Sequence, residues 1–127
     1  MPIQSYRDLE AWQLGMSFVV DVYTLTKLLP QEERFGLTSQ LRRAAVSIPS
    51  NVSEGHQLGG KSYKRSVSLA LGSLAELNTQ LEITLRLKYV EEPDFESITR
   101  KSSRLRQVLH GLHRALVARE RRNLANG

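Results

Sequence analysis

Apolar side chains recur in alternating three- and four-residue steps along four stretches of the chain, and no stretch sustains a period of two, so the pattern predicts helices and no strands. The first stretch, about residues 8–29, sets Leu9, Trp12, Met16, Val19, Tyr23 and Thr26 on one face, and Pro30 ends it by excluding the residue before it from helical geometry. The second, 36–58, carries Leu37, Leu41, Ala44, Ile48, Asn51 and Gly55 at the same spacing. Pro49 lies inside it, but the spacing stays in phase across the proline, so a kink is expected and not a break. The third, 61–89, aligns Tyr63, Val67, Ala70, Leu74, Leu77 and Leu81, with Leu69, Leu71, Ile83, Leu85 and Leu87 on further faces. A helix this broadly apolar sits centrally or meets another subunit, and Gly72 and Ala75 would allow close approach. The fourth, 93–122, opens on Pro93 with Asp94 and Glu96 at its positive end and closes on Arg119, Arg121 and Arg122 at its negative end. Its seam is Phe95, Ile98, Ser102, Leu105, Leu109, Leu112 and Leu116.

Four such seams with short connections are most simply buried as an antiparallel up-down four-helix bundle, all-α, forming one domain over residues 1–127. A chain of 127 residues, 40 % hydrophobic and 24 % charged, suits one folded domain and leaves little room for a second. The absence of cysteine excludes a disulfide framework, a thiolate metal site and a cysteine nucleophile. The first eight residues do not read as a signal peptide and no run is long enough to span a bilayer, so the expected setting is the cytoplasm, and the Asn51-Val52-Ser53 sequon is set aside.

Charge changes the picture more than composition does. Residues 1–99 carry ten Lys and Arg against twelve Asp and Glu, whereas residues 100–127 carry eight against Glu120 alone, giving local net charges of −2 and +7. Segregation of this kind attracts polyanions better than the same charge spread evenly. Arg100, Lys101, Arg104, Arg114, Arg121 and Arg122, joined by Arg42 and Arg43 of the second helix, are therefore the expected phosphate contacts for RNA or DNA. Such binding would be backbone-driven and weakly sequence-specific.

The remaining chemistry is weak. Gly55-His56-Gln57-Leu58-Gly59-Gly60-Lys61-Ser62 fits the phosphate-loop spacing G-x-x-x-x-G-K-[ST], but a phosphate loop follows a buried strand and the preceding residues have helical period, so a glycine-rich turn is expected. His110 and His113 lie one turn apart without a third ligand, so no metal or other cofactor is expected. Glu32-Glu33 and Glu91-Glu92 fall at helix junctions, where capping and solvation account for them, and no catalytic triad stands out. Gln40, Asn51 and Glu54 lie on or beside the second seam. They are expected to form an internal hydrogen-bond network with Tyr23, Ser47 or Glu76 that fixes register, with a binding pocket as the alternative.

Four blocks stand out together: Tyr6-Arg7-Asp8-Leu9 with Trp12, Tyr23 with Leu29-Pro30 and Glu33, the long run from Phe35 to Gly55, and Ala70, Gly72-Ser73 and Glu76-Leu77. In these blocks the chain resembles a bacterial family of four-helix bundle proteins first noticed in intervening sequences of large-subunit ribosomal RNA genes. The resemblance covers nearly the whole chain and departs mildly at Val52-Ser53, where the family more often has Ile-Ala. It implies an up-down bundle that assembles as a homopentamer, and carries no catalytic residue. The family is similar in turn to the accessory variability protein of diversity-generating retroelements, which binds nucleic acid and a reverse transcriptase. The expected function is thus a non-catalytic homo-oligomer binding nucleic acid. The alternative is a scaffold or adaptor making protein contacts only.

Overall fold

The computed structural model describes residues 5–127; residues 1–4, which entered the signal-peptide reading, lie outside the described residues. Four helices follow in order, α1 (Glu10–Thr26), α2 (Leu37–Leu58), α3 (Gly60–Arg86) and α4 (Glu92–Asn126), with short 3-10 turns at Tyr6–Asp8 and Gln31–Glu33 and no strand among the described residues. Each helix packs on two neighbours. α1 touches α2 and α4, and α3 touches α2 and α4, so α2 and α4 face each other across the diagonal of an up-down bundle.

The seams of α2, α3 and α4 lie where the periodicity puts them. Leu41, Ala44 and Ile48, then Val67, Ala70, Leu74, Leu77 and Leu81, then Ile98, Leu105, Leu109 and Leu116 are all buried. α1 is displaced by one position. Its buried residues are Ala11, Gly15, Phe18, Val22 and Leu25, with Thr26 alongside. Met16 and Tyr23 of the expected face are exposed, and Leu9, Trp12 and Val19 are half-buried on its flank. An α1 segment that is apolar nearly all round offers two adjacent stripes with the same spacing, and the smaller residues decide between them. A Cβ on Gly15 would stand 3.3 Å from Cβ of Pro49, so the glycine is where α1 comes down onto the proline ring of α2.

That contact helps explain how α2 runs through Pro49 without dividing into two helices. The proline removes one backbone donor. In the same turns Ser47 Oγ donates to the Ala44 carbonyl (2.7 Å), Ser50 Oγ to the Val46 carbonyl (2.7 Å) and Asn51 Nδ2 to the Ser47 carbonyl (2.8 Å), which keeps neighbouring carbonyls partnered. α1 ends at Thr26, earlier than the spacing suggests. Upstream of Pro30 its last turn tightens, with the amides of Lys27, Leu28 and Leu29 each donating three residues back.

The bundle has two unlike ends. At one, the α1–α2 and α3–α4 connections meet: Tyr89 Oη donates to Glu33 Oε2 (2.9 Å), and the Leu37 amide donates to Glu33 Oε1 (3.2 Å). At the other, Gly59 and Gly60 take positive φ of 72° and 56° to turn α2 directly into α3. Just before that turn a Cβ on Gly55 would lie 2.7 Å from Cβ of Ser66, which marks the tightest α2–α3 approach.

Candidate nucleic-acid interface

The structure divides the expected basic surface in two. Arg100, Lys101, Arg104, Arg114, Arg121 and Arg122 are all exposed on α4. Arg42 and Arg43 stand on α2, across the diagonal, and do not join them. The periodicity of each helix was legible, but not which helices are neighbours. Part of the α4 face is also engaged with α1. Arg104 Nη2 lies 2.6 Å from Glu10 Oε1, and Lys101 Nζ 3.1 Å from Asp21 Oδ2. Such exposed pairs contribute little to stability, at most about 1 kcal/mol, but they cancel charge locally. Arg100, Arg114, Arg121 and Arg122 make no ion pair among the described residues.

The α2 arginines occupy a different setting. An open depression of about 630 Å³ is lined by Tyr23 of α1, by Arg34 and Phe35 of the connection, and by Thr38, Ser39, Arg42, Arg43, Val46 and Ser47. No carboxylate is among these residues. Arg42 is held in place: its Nε donates to Thr26 Oγ1 (2.9 Å) and its guanidinium lies over the Tyr23 ring at 4.5 Å from the centroid. Arg34 stacks similarly on Phe35 at 5.3 Å. Phe35 is 88 % exposed, the most exposed of the large apolar side chains, with no core role to account for it. Three guanidinium groups, two accessible rings and the hydroxyls of Thr38 and Ser39 around one concavity supply the charge and the stacking surface a polynucleotide strand uses. The charge count singled out Arg42 and Arg43 but missed Arg34, Phe35, Thr38 and Ser39. The available signal was a phenylalanine between an arginine and a helix-starting glycine, outside every apolar seam.

The expected polar network does not form. Tyr23, Gln40, Glu54 and Glu76 are exposed, Ser47 and Asn51 bond within their own helix, and Glu76 accepts only from Gln80 one turn away (3.2 Å). Gln40, Glu54 and Glu76 stand beside the seams on the solvent side, and the shift of α1 turns Tyr23 outward. Among the described residues α3 is joined to α4 instead by Ser102 Oγ donating to Asn78 Oδ1 (2.6 Å) and by the Lys64–Glu120 ion pair (2.7 Å). Gly55–Ser62 spans the end of α2 and the start of α3, without the strand a phosphate loop needs. Among the described residues no group of three His, Cys, Asp or Glu is placed to hold a metal, and no helix is long and apolar enough to cross a membrane.

These features define an up-down four-helix bundle with charged outer faces. Residues 7–111 match the model of the 23S rRNA-intervening sequence protein family, and the chain belongs to that family. Among solved structures it is similar to a protein with unknown function from the S23 ribosomal protein family of Bacteroides thetaiotaomicron. The two are 24 % identical, the match covers 82 % of this chain and 95 % of the other, and the TM-score is 0.75. At that identity the likeness speaks for the fold alone. No curated protein matches the chain.

Proposed function

We propose that this protein is a non-catalytic homo-oligomer that works in the cytoplasm and binds nucleic acid, chiefly RNA, through its basic surfaces with weak sequence specificity. The observation that carries this reading is the carboxylate-free depression in which Arg34, Arg42 and Arg43 surround Tyr23 and Phe35. The unpaired arginines of α4 supply a second, purely electrostatic contact. The family's name makes the intervening sequence of 23S rRNA the first RNA to try, and the resemblance to a nucleic-acid-binding accessory protein points the same way. Self-association is supported by α3 and its C-cap, where Leu69, Ile83 and the capping Leu87 are exposed and a Cβ on Gly72 would meet nothing within 4 Å. The number five rests on the family resemblance.

Binding of a single-stranded RNA and of a duplex, measured across a salt series, tests the proposal. The logarithm of affinity should fall with the logarithm of salt by about 0.7–0.9 for each phosphate contacted. The Arg34→Gln/Arg43→Gln pair should flatten that slope more than Arg100→Gln/Arg114→Gln, and Phe35→Ala should weaken the single strand more than the duplex. No binding at low salt by an otherwise intact oligomer overturns the nucleic-acid reading and leaves the scaffold. A 14.4 kDa species by light scattering at micromolar concentration overturns the oligomer.

A further inference from the structure

At the Gly59-Gly60 end, the last turns of α4 and the α2–α3 turn border an open cavity of about 520 Å³. This lies within the size range of small-molecule sites, about 300–1,000 Å³. Four observations converge on it. First, α3 has no side-chain cap: Gly59 is its N-cap, the Tyr63 amide returns to the Gly59 carbonyl (3.1 Å), and the amides of Gly60, Lys61 and Ser62 remain as free first-turn donors. Second, Lys61 and Arg119 both line the cavity, whereas its one carboxylate, Glu120, is already bound by Lys64 at 2.7 Å. Third, Tyr63 and Leu116 form an apolar floor, with the exposed Leu124 at its edge and His56 set edge-on to the Tyr63 ring at 5.7 Å.

The fourth observation concerns Tyr63, which lines the cavity and is only 6 % exposed. Its hydroxyl has no hydrogen-bond partner among the described residues and is accessible to solvent, so it is free to bond a bound group without giving up a bond to the protein.

We propose that this cavity binds a phosphomonoester carrying an aromatic or aliphatic body, with the phosphate at the start of α3 between Lys61 and Arg119 and the body against Tyr63, Leu116 and Leu124. Two cations beside a helix N-terminus match a phosphate's charge of about −1.5 to −2 better than a single carboxylate. The Gly55–Ser62 segment thus keeps one element of the phosphate-loop pattern, amides and a lysine at a helix start, without the strand or the metal-binding aspartate that hydrolysis needs. The site lies at the far end of the bundle from the arginine depression and does not depend on the nucleic-acid reading.

Calorimetric titration of the full chain in magnesium-free buffer with phenyl phosphate and with inorganic phosphate tests this. Phenyl phosphate should bind saturably and about tenfold or more tighter than inorganic phosphate, because only it reaches the apolar floor. Arg119→Gln should weaken it about tenfold or more, and Tyr63→Phe, which keeps the ring, about three- to tenfold. Circular dichroism and melting temperature report that both variants remain folded. A nucleoside 5′-monophosphate and a 5′-phosphorylated trinucleotide then separate the sources. Tighter binding of the trinucleotide identifies a strand end, and equal binding a free small molecule; both support the site. No saturable binding of phenyl phosphate, affinity equal to that of inorganic phosphate, or affinity untouched by both substitutions overturns the proposal.

Discussion

Each end of the bundle holds a tyrosine beside the start or end of a helix, and their hydroxyls are treated in opposite ways. Tyr89 donates to Glu33, which also accepts from the Leu37 amide, so one phenol and one carboxylate tie both connections of that end to the start of α2. Tyr63 is more deeply buried and donates to nothing. The first hydroxyl serves as a structural clasp, and the second belongs to a residue lining an open cavity that Lys61 and Arg119 also line. The difference shows how two similar residues in similar helical contexts acquire different roles. A partner close in space makes one of them part of the fold, and the lack of one leaves the other open to solvent in the cavity.

Glycine substitutions test that contrast most strongly. Gly55→Ala pushes a Cβ to 2.7 Å from Cβ of Ser66 and 3.1 Å from the Tyr63 ring, where helix backbones must part to relieve it. The cost of overpacking, about 1–3 kcal/mol, exceeds the gain of about 0.5–1 kcal/mol from alanine in a helix, so a net loss of about 1 kcal/mol is expected by urea melts. Gly72→Ala meets nothing and should stabilise by about 0.5–1 kcal/mol. Equal effects at the two positions would show that the α2–α3 approach is not tight.

A smaller loss is expected at the clasp. A Cβ on Gly36 would lie 2.6 Å from Glu33 Oε1, but a carboxylate at the end of a flexible side chain can move aside. Gly36→Ala should therefore cost only what Glu33 gives up by moving, about 1 kcal/mol. Glu33→Ala should cost a similar amount, and the double variant less than the two together, because both act on the same bonds. Full additivity in denaturant melts would remove Glu33 from the role of clasp.

Much of this was legible in the sequence, and the misreadings have identifiable physical causes. The α2 and α4 seams could be read because each helix has one apolar face and one polar face, and the α3 seam because its spacing runs unbroken from Tyr63 to Leu81 although further faces also carry apolar residues. α1 could not, because Trp12, Met16 and Val19 compete with Ala11, Gly15 and Phe18 at equal spacing, and the contest is settled by Pro49, a residue in another helix. The arginines of α2 and α4 were legible as charge, yet periodicity carries no information about which helices are neighbours, so two surfaces were merged into one. Gly59-Gly60 was legible as a turn. The cavity beside it depends on how far α4 runs on past that turn, to Asn126, beyond the 122 that the spacing suggests.

The subtlest test separates the two tyrosines by pH. Both phenols are raised above the ordinary value of 10.0, Tyr89 mainly by its hydrogen bond to Glu33 and Tyr63 mainly by burial, with the Arg119 guanidinium pulling the other way. A group whose pKa is higher in the folded chain favours folding while protonated. Its contribution is therefore complete below about pH 10 and is lost as pH rises through the folded value. Stability should accordingly be flat in this respect at neutral pH and fall above pH 10, and either Tyr→Phe substitution should shallow that fall. At neutral pH the two substitutions should part company. Tyr89→Phe removes a made bond and should lower the melting temperature, whereas Tyr63→Phe removes a hydroxyl without a partner and should leave it unchanged or raise it slightly. A melting temperature lowered equally by both would mean that Tyr63 already has a partner, and would deprive the cavity of its most specific feature.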